Sequence, residues 1–184
     1  MAPEIIPTPL QGLLLLKPVV FSDNRGYFAE TYNHTVFSEI GITESFVQDN
    51  QSMSHKGALR GLHFQNPPHA QSKLVRVVAG SVLDVVVDIR QGSLTYGQNF
   101  VTELSDKNFH QLYIPEGFAH GFVTLEDHTI FAYKCSSYYN KASEDGLMWN
   151  DPDLNIDWQV TTPIISGKDQ ELKYLRDFNS PFIN

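Results

Sequence analysis

A net charge of −8 on 184 residues argues against a nucleic-acid footprint, which needs clustered Lys and Arg, so any anionic ligand must be held locally. The length suits one domain with a substantial core, and ten Pro and twelve Gly, spread without clustering, mark no linker, so a single domain over 1–184 is expected. A lone cysteine, Cys135, excludes an internal disulfide and a paired-cysteine metal motif, which fits a reducing compartment, the cytoplasm.

Taken from the N-terminus, the apolar run Gly12 to Leu16 is too short to span a bilayer and lacks the basic lead of a signal peptide, so it reads as an early strand and no membrane partner is expected. Ser22-Asp23-Asn24-Arg25-Gly26 is a turn by composition, because Asp and Asn bond their own backbone and Gly accepts positive φ. Tyr27 to Tyr32 then alternates as a strand. Asn33 caps a short helix from His34 to Ile40, which Gly41 stops. Phe46 to Ser54 returns to extended chain, rich in amides and hydroxyls.

Arg60-Gly61-Leu62-His63 ends the next apolar stretch. Asn66-Pro67-Pro68 breaks it, since proline removes backbone donors, and Lys73 opens the run that follows. A histidine and a lysine are thus presented by neighbouring strands; taken singly, His63 reads equally as a hydrogen-bonded core histidine and Lys73 as a solvated strand end. Strict alternation places Arg60 and His63 on opposite faces, a conflict that a bulge at Gly61 would relieve.

From Ser81 to Arg90, Leu83, Val85, Val87 and Ile89 make an unbroken apolar face, while Asp84, Asp88 and Arg90 share the other with Val82 and Val86. Such a strand suits a barrel or sandwich whose interior holds a ligand. Asp84 stays open between an inward acid pairing with Lys73 or Arg76 and a hydrated outer face; Asp88 reads as hydrated. Runs at Phe100 to Leu104, Gln111 to Ile114, Phe118 to Leu125 and Thr129 to Cys135 keep the short spacing of an all-β domain. Within the last of these Phe131, Tyr133 and Cys135 share a face, so Tyr133 points into an interior or sits with its hydroxyl at a rim. After Trp149 the period is lost. A short helix is expected after Ser166, with Ser166 and Asp169 spaced as a reciprocal cap.

Pro115-x-Gly117-x-x-His120 sets a turn and then delivers a histidine onto a strand. It resembles the second motif of the cupin superfamily, which implies a mainly β fold: a double-stranded β-helix, the cupin jelly roll, with a few short peripheral helices. The matching first-motif region reads His63-Phe64-Gln65, where the superfamily has His-x-His, and Lys73 stands near the place of a ligand glutamate. Zinc or iron wants about three or four convergent ligands, so neither a metal nor another cofactor is expected.

Five stretches in order, RGLHFQ, KLVRVVAG, IPEGFAHGF, YKCSSYY and WNDPDLNIDW, together resemble the dTDP-4-dehydrorhamnose 3,5-epimerase family from about Leu13 to the segment after Ser166. Gln51-Ser52-Met53-Ser54 departs from the pattern, standing where a more basic or histidine-containing sequence is expected. The resemblance implies epimerisation of a dTDP-linked 4-keto-6-deoxyhexose at C3 and C5, on the route to dTDP-L-rhamnose. A C3-only epimerase, a metal-dependent cupin and a non-catalytic sugar-binding cupin are the alternatives.

Inverting carbons α to a ketone needs a base, an enolate stabiliser and a proton donor on the opposite face of the ring. The resemblance implies His63 as base, Asp169 as the carboxylate that orients it, Lys73 as enolate stabiliser and Tyr133 as acid, with His120 against the sugar. Arg60 and Arg25 are the candidates for the diphosphate, because a guanidinium fork matches phosphate oxygens. The resemblance further implies Gln48, Asn50 and Phe28 for the nucleotide with some contacts from a second subunit, Tyr139 and Glu144 as additional contacts, and a homodimer.

Overall fold

Short alternating stretches divided by Gly, Pro and Asn turns become strands rather than helices in a computed structural model that describes residues 1–183. In chain order they are β1 (Glu4–Ile6), β2 (Leu14–Lys17), β3 (Val20–Asp23), β4 (Gly26–Ala29), β5 (Gln48–Ser54), β6 (Ala58–Gln65), β7 (Lys73–Ala79), β8 (Ser81–Asp88), β9 (Asn99–Ser105), β10 (Gln111–Ile114), β11 (Phe118–Thr124), β12 (Thr129–Cys135), β13 (Glu144–Gly146) and β14 (Ile164–Ile165). One helix, α1 (His34–Glu39), lies between β4 and β5.

The first sheet has the order β1-β2-β10-β7-β12-β5, the second β13-β6-β11-β8-β9 with β14 added parallel to β6, and β3–β4 is a separate hairpin. From β5 to β13 the chain crosses back and forth between the two large sheets, with β8–β9 the one pair of successive strands in that stretch that stays in a single sheet. That path is the expected cupin jelly roll.

Three apolar clusters follow from this layering. Val75, Val77, Leu112 and Phe131 from the first sheet meet Val82, Val86, Phe118 and Phe122 from the second, filling the interior. The opposite face of β8, through Leu83, Val85 and Val87, packs under the long C-terminal segment that brings Leu147, Leu154, Trp158 and Phe182. Leu16, Leu74 and Tyr113 lie under Phe37 of α1 and the following Ile42. Residues 147–182, although nearly without regular strands, are therefore a structural cover for the second sheet, and they carry Asp169 toward the interior.

Local predictions meet mixed outcomes. The Asn33 side chain accepts from the backbone N–H groups of Thr35 and Val36, and Gly41 beyond the helix has φ +91°. The strand after Gly26 ends at Ala29, short of the expected Tyr32. Beyond Ser166 there is only a 3-10 turn, Lys168–Gln170. Ser166 Oγ accepts from Asp169 N at 3.1 Å, but the Asp169 carboxylate goes to other partners, so the cap is not reciprocal.

Asp88 corrects the expectation of a hydrated face, because it is fully buried. It accepts from Arg90 Nε at 2.9 Å and Nη2 at 2.7 Å, and from the Ser93 and Thr95 hydroxyls at 2.6 Å each. Burial pushes this carboxyl up, but those donors outweigh it and bring it down to about 2. Asp88 is thus the staple of the turn that leaves β8.

At Gly61 the expected bulge is present. His63 pairs with His120 and Arg60 with Phe122, so two residues on β6, Gly61 and Leu62, face one on β11, Gly121. Gly61 has φ +127°, and a Cβ there would strike Gly121 Cα and lie 2.8 Å from His120 O. Gly61→Ala should therefore lose about 3 kcal/mol or more of stability in a thermal or urea melt. Gly26→Ala, at φ +129° with nothing near its Cβ, should lose distinctly less; equal losses would mean that backbone strain, not the close approach, governs the site.

Candidate active site

The bulge turns Arg60 and His63 to one side, and both line a cavity of about 500 Å³ together with Lys73, His120, Tyr133 and Asp169. A second cavity of about 310 Å³ shares His63, Lys73 and Tyr133 and adds Gln48, Asn50, Tyr139 and Glu144. The three shared side chains thus stand where the two spaces meet. Their strands explain this: Lys73 and Tyr133 face inward from β7 and β12 of the first sheet, while His63 and His120 are cross-strand partners on β6 and β11 of the second.

His63 Nε2 donates to Asp169 Oδ1 at 2.7 Å. Asp169 is 3% exposed, and its other oxygen faces the Gly61 N–H at 3.4 Å. Burial works to raise this carboxyl, but the hydrogen bond and charge of His63, with Gly61 and Ser166, carry it below its ordinary value. An ionised Asp169 fixes the Nε2–H tautomer, leaving His63 Nδ1, with no protein partner among the described residues, as the basic nitrogen.

A second pair stands opposite. His120 Nε2 donates to both oxygens of Asp84, at 3.0 and 2.9 Å, and the two residues are 7% and 0% exposed. Asp84 is therefore the inward acid, partnered by His120 rather than by Arg76. The His120 ring stacks on Phe131 at 6.1 Å between centroids, and Phe131 on Phe122 at 4.1 Å, so this wall is apolar apart from the pair.

Burial pushes the Lys73 ammonium below its ordinary value, opposed by Cys135, Asp84 and Glu144. Its one hydrogen bond among the described residues is a long one, Nζ to His63 O at 3.5 Å, which leaves ammonium protons for a ligand. Burial also raises the Tyr133 phenol, aided by Cys135 and Glu144 and opposed by Arg60, so it stays protonated at neutral pH. Glu144 accepts from Tyr139 at 2.8 Å and pairs with Lys168 at 2.5 Å. Among the described residues no three His, Cys, Asp or Glu side chains converge as metal ligands.

An imidazole oriented by a buried carboxylate, a cation and a protonated phenol around one space can remove and return a proton next to a carbonyl. Comparison with known proteins places the chain alongside enzymes of that kind. The profile described as dTDP-4-dehydrorhamnose 3,5-epimerase matches residues 7–177. The chain belongs to the dTDP-4-dehydrorhamnose 3,5-epimerase family. A family member from Methanothermobacter thermautotrophicus is 49% identical over 177 residues, covering 95% of each chain. The dTDP-6-deoxy-D-glucose 3,5-epimerase of Legionella pneumophila Philadelphia 1, solved with dTDP-4-keto-L-rhamnose, is 44% identical with a TM-score of 0.94 and covers 98% of each chain. At lower identity, 39% over 172 residues covering 93% of this chain and 83% of the other, stands a dTDP-4-dehydrorhamnose 3-epimerase from Streptomyces niveus.

Within this epimerase-family fold, two expected site residues stay apart from the rest. Arg25 sits on the β3–β4 hairpin with an exposed side chain paired to Asp23 at 2.6 Å, and Phe28 on the same hairpin is 67% exposed. Neither lines either of the two cavities. Lys168, which the sequence did not single out, lines the larger cavity, as does Ser52 from the segment that departs from the family pattern. For Lys168 the available signal was its place beside Asp169.

Proposed function

We propose that the protein epimerises a dTDP-linked 4-keto-6-deoxyhexose at C3 and C5, dTDP-4-dehydro-6-deoxy-D-glucose to dTDP-4-dehydro-L-rhamnose, as a metal-free, cofactor-free isomerase of dTDP-rhamnose biosynthesis. The observation that carries the reading is the 2.7 Å His63–Asp169 pair opening on the same space as Lys73 and Tyr133. His63 Nδ1 takes the proton α to the ketone. Lys73, with His120 held by Asp84, meets the charge that develops on the ketone oxygen, and Tyr133 supplies a proton from another wall.

Arg60 is assigned to the diphosphate, with Gln48, Asn50, Tyr139 and Glu144 along the adjoining cavity as the remaining substrate contacts. Arg25 and Phe28 fit this scheme through a second copy of the chain, whose exposed β3–β4 hairpin would bring them, so a homodimer is part of the proposal. A single cytoplasmic domain over 1–184, with no nucleic-acid or membrane partner, completes it. No helix among the described residues is long and apolar enough to cross a membrane.

The similarity to a 3-epimerase sets the rival outcome, inversion at C3 alone. Proton NMR of the product decides: ring coupling constants should report inversion at both carbons. Inversion at C3 only would select the rival, and unchanged substrate would reject both.

A further inference from the structure

Arg60 is held unlike most of the cationic forks of this chain. Of the other four arginines, Arg25, Arg90 and Arg176 pair with a carboxylate, those of Asp23, Asp88 and Asp177, while Arg76 lines a different cavity, away from His63 and Asp169. Arg60, which lines the larger cavity, has no carboxylate within ion-pair distance among the described residues. Its Nε and Nη2 instead both donate to one neutral oxygen, Ser54 Oγ, at 3.2 and 3.1 Å. Ser54 is 3% exposed, at the end of β5 opposite Thr129 of β12, so the anchor is fixed by the sheet.

We infer that Ser54 is a positioning residue for the substrate's diphosphate, its hydroxyl fixing the Arg60 guanidinium at the cavity without discharging it. This rests on the epimerase reading above. Two donors of the fork are spent on the hydroxyl, and both Nη1 protons with the second Nη2 proton remain for phosphate oxygens. Because the hydroxyl carries no charge, the guanidinium keeps its full attraction for a dianion. Restricting the long side chain beforehand also removes ordering that binding would otherwise have to impose. The inward face of β5 continues the pattern, since Asn50 and Ser52 also line the cavities with neutral polar groups. A carboxylate at position 54 would anchor the fork more strongly and yet repel the ligand.

That opposition gives the test, a calorimetric titration of dTDP into wild type and variants. Ser54→Ala should weaken binding about ten- to a hundredfold, the scale of hydrogen bonds to a charged group. Ser54→Asp should weaken it further, although Asp is the better acceptor, and Ser54→Thr should keep most of the affinity, which separates lost positioning from lost folding. Ser54→Ala should add little in an Arg60→Ala background. In turnover, Ser54→Ala should raise KM by more than it lowers kcat. Wild-type affinity in Ser54→Ala or Ser54→Asp, or full additivity with Arg60→Ala, overturns the inference alone. Failure of wild type to bind dTDP removes the functional reading and the inference with it.

Discussion

His63→Ala is expected to lose turnover by about a thousandfold or more, within or above the range ascribed to a positioned general base, while retaining affinity for dTDP. The physical ground is that no other nitrogen in the cavity matches its situation. His120 presents its Nε2 to Asp84 within an almost closed wall, and Lys73 carries a proton until the pH reaches its lowered pKa. Asp169→Asn should act through His63, because an amide can offer its N–H to the ring and favour the wrong tautomer. Its loss should be large in kcat with little change in dTDP binding. Calorimetry with dTDP alongside single-turnover kinetics checks both variants, and substantial turnover in His63→Ala would place the base elsewhere.

Lys73→Met is the second large effect, about a hundred- to a thousandfold in kcat, as for removal of one oxyanion donor. Methionine keeps the length and apolar stem, so the loss reads the charge rather than the packing. The pH dependence has a definite sign. Burial lowers the ammonium from its ordinary value, so the cation is lost below the usual lysine range, and wild-type kcat should fall as pH rises through that lowered pKa. Lys73→Met should show no such limb. For folding, a lysine depressed below its unfolded value binds fewer protons in the native state between the two pKa values. Its contribution therefore makes the wild type gain stability as pH rises through that window relative to Lys73→Met. An alkaline limb at the same pH in both proteins would assign it to another group.

How far the sequence reached depends on the kind of contact. Period-2 alternation was enough for the two faces of β8, because a pleated strand forces those directions, whereas for Tyr133 it gave a shared face with Phe131 and Cys135 but left interior and rim both open. The conflict between Arg60 and His63 pointed directly to Gly61, where only a residue without a Cβ can pass so close to Gly121. Asp84 was left open because alternation names a face but not a partner, and its partner lies on another strand, 36 residues away. Asp88 was misread for a related reason: Arg90, Ser93 and Thr95 close around it only when the chain turns. The helix expected after Ser166 shrank to a turn, since the carboxylate that would have capped it is engaged by His63. Arg25 and Phe28 lie beyond what one chain's geometry can relate to the cavity.

The central claim is proton removal from carbon next to a ketone by His63, and solvent exchange tests it most directly. Substrate incubated with enzyme in heavy water, then analysed by NMR and mass spectrometry, should carry deuterium at both C3 and C5, and His63→Ala should slow incorporation at both. Substrate bound and released with deuterium at neither carbon would contradict the account.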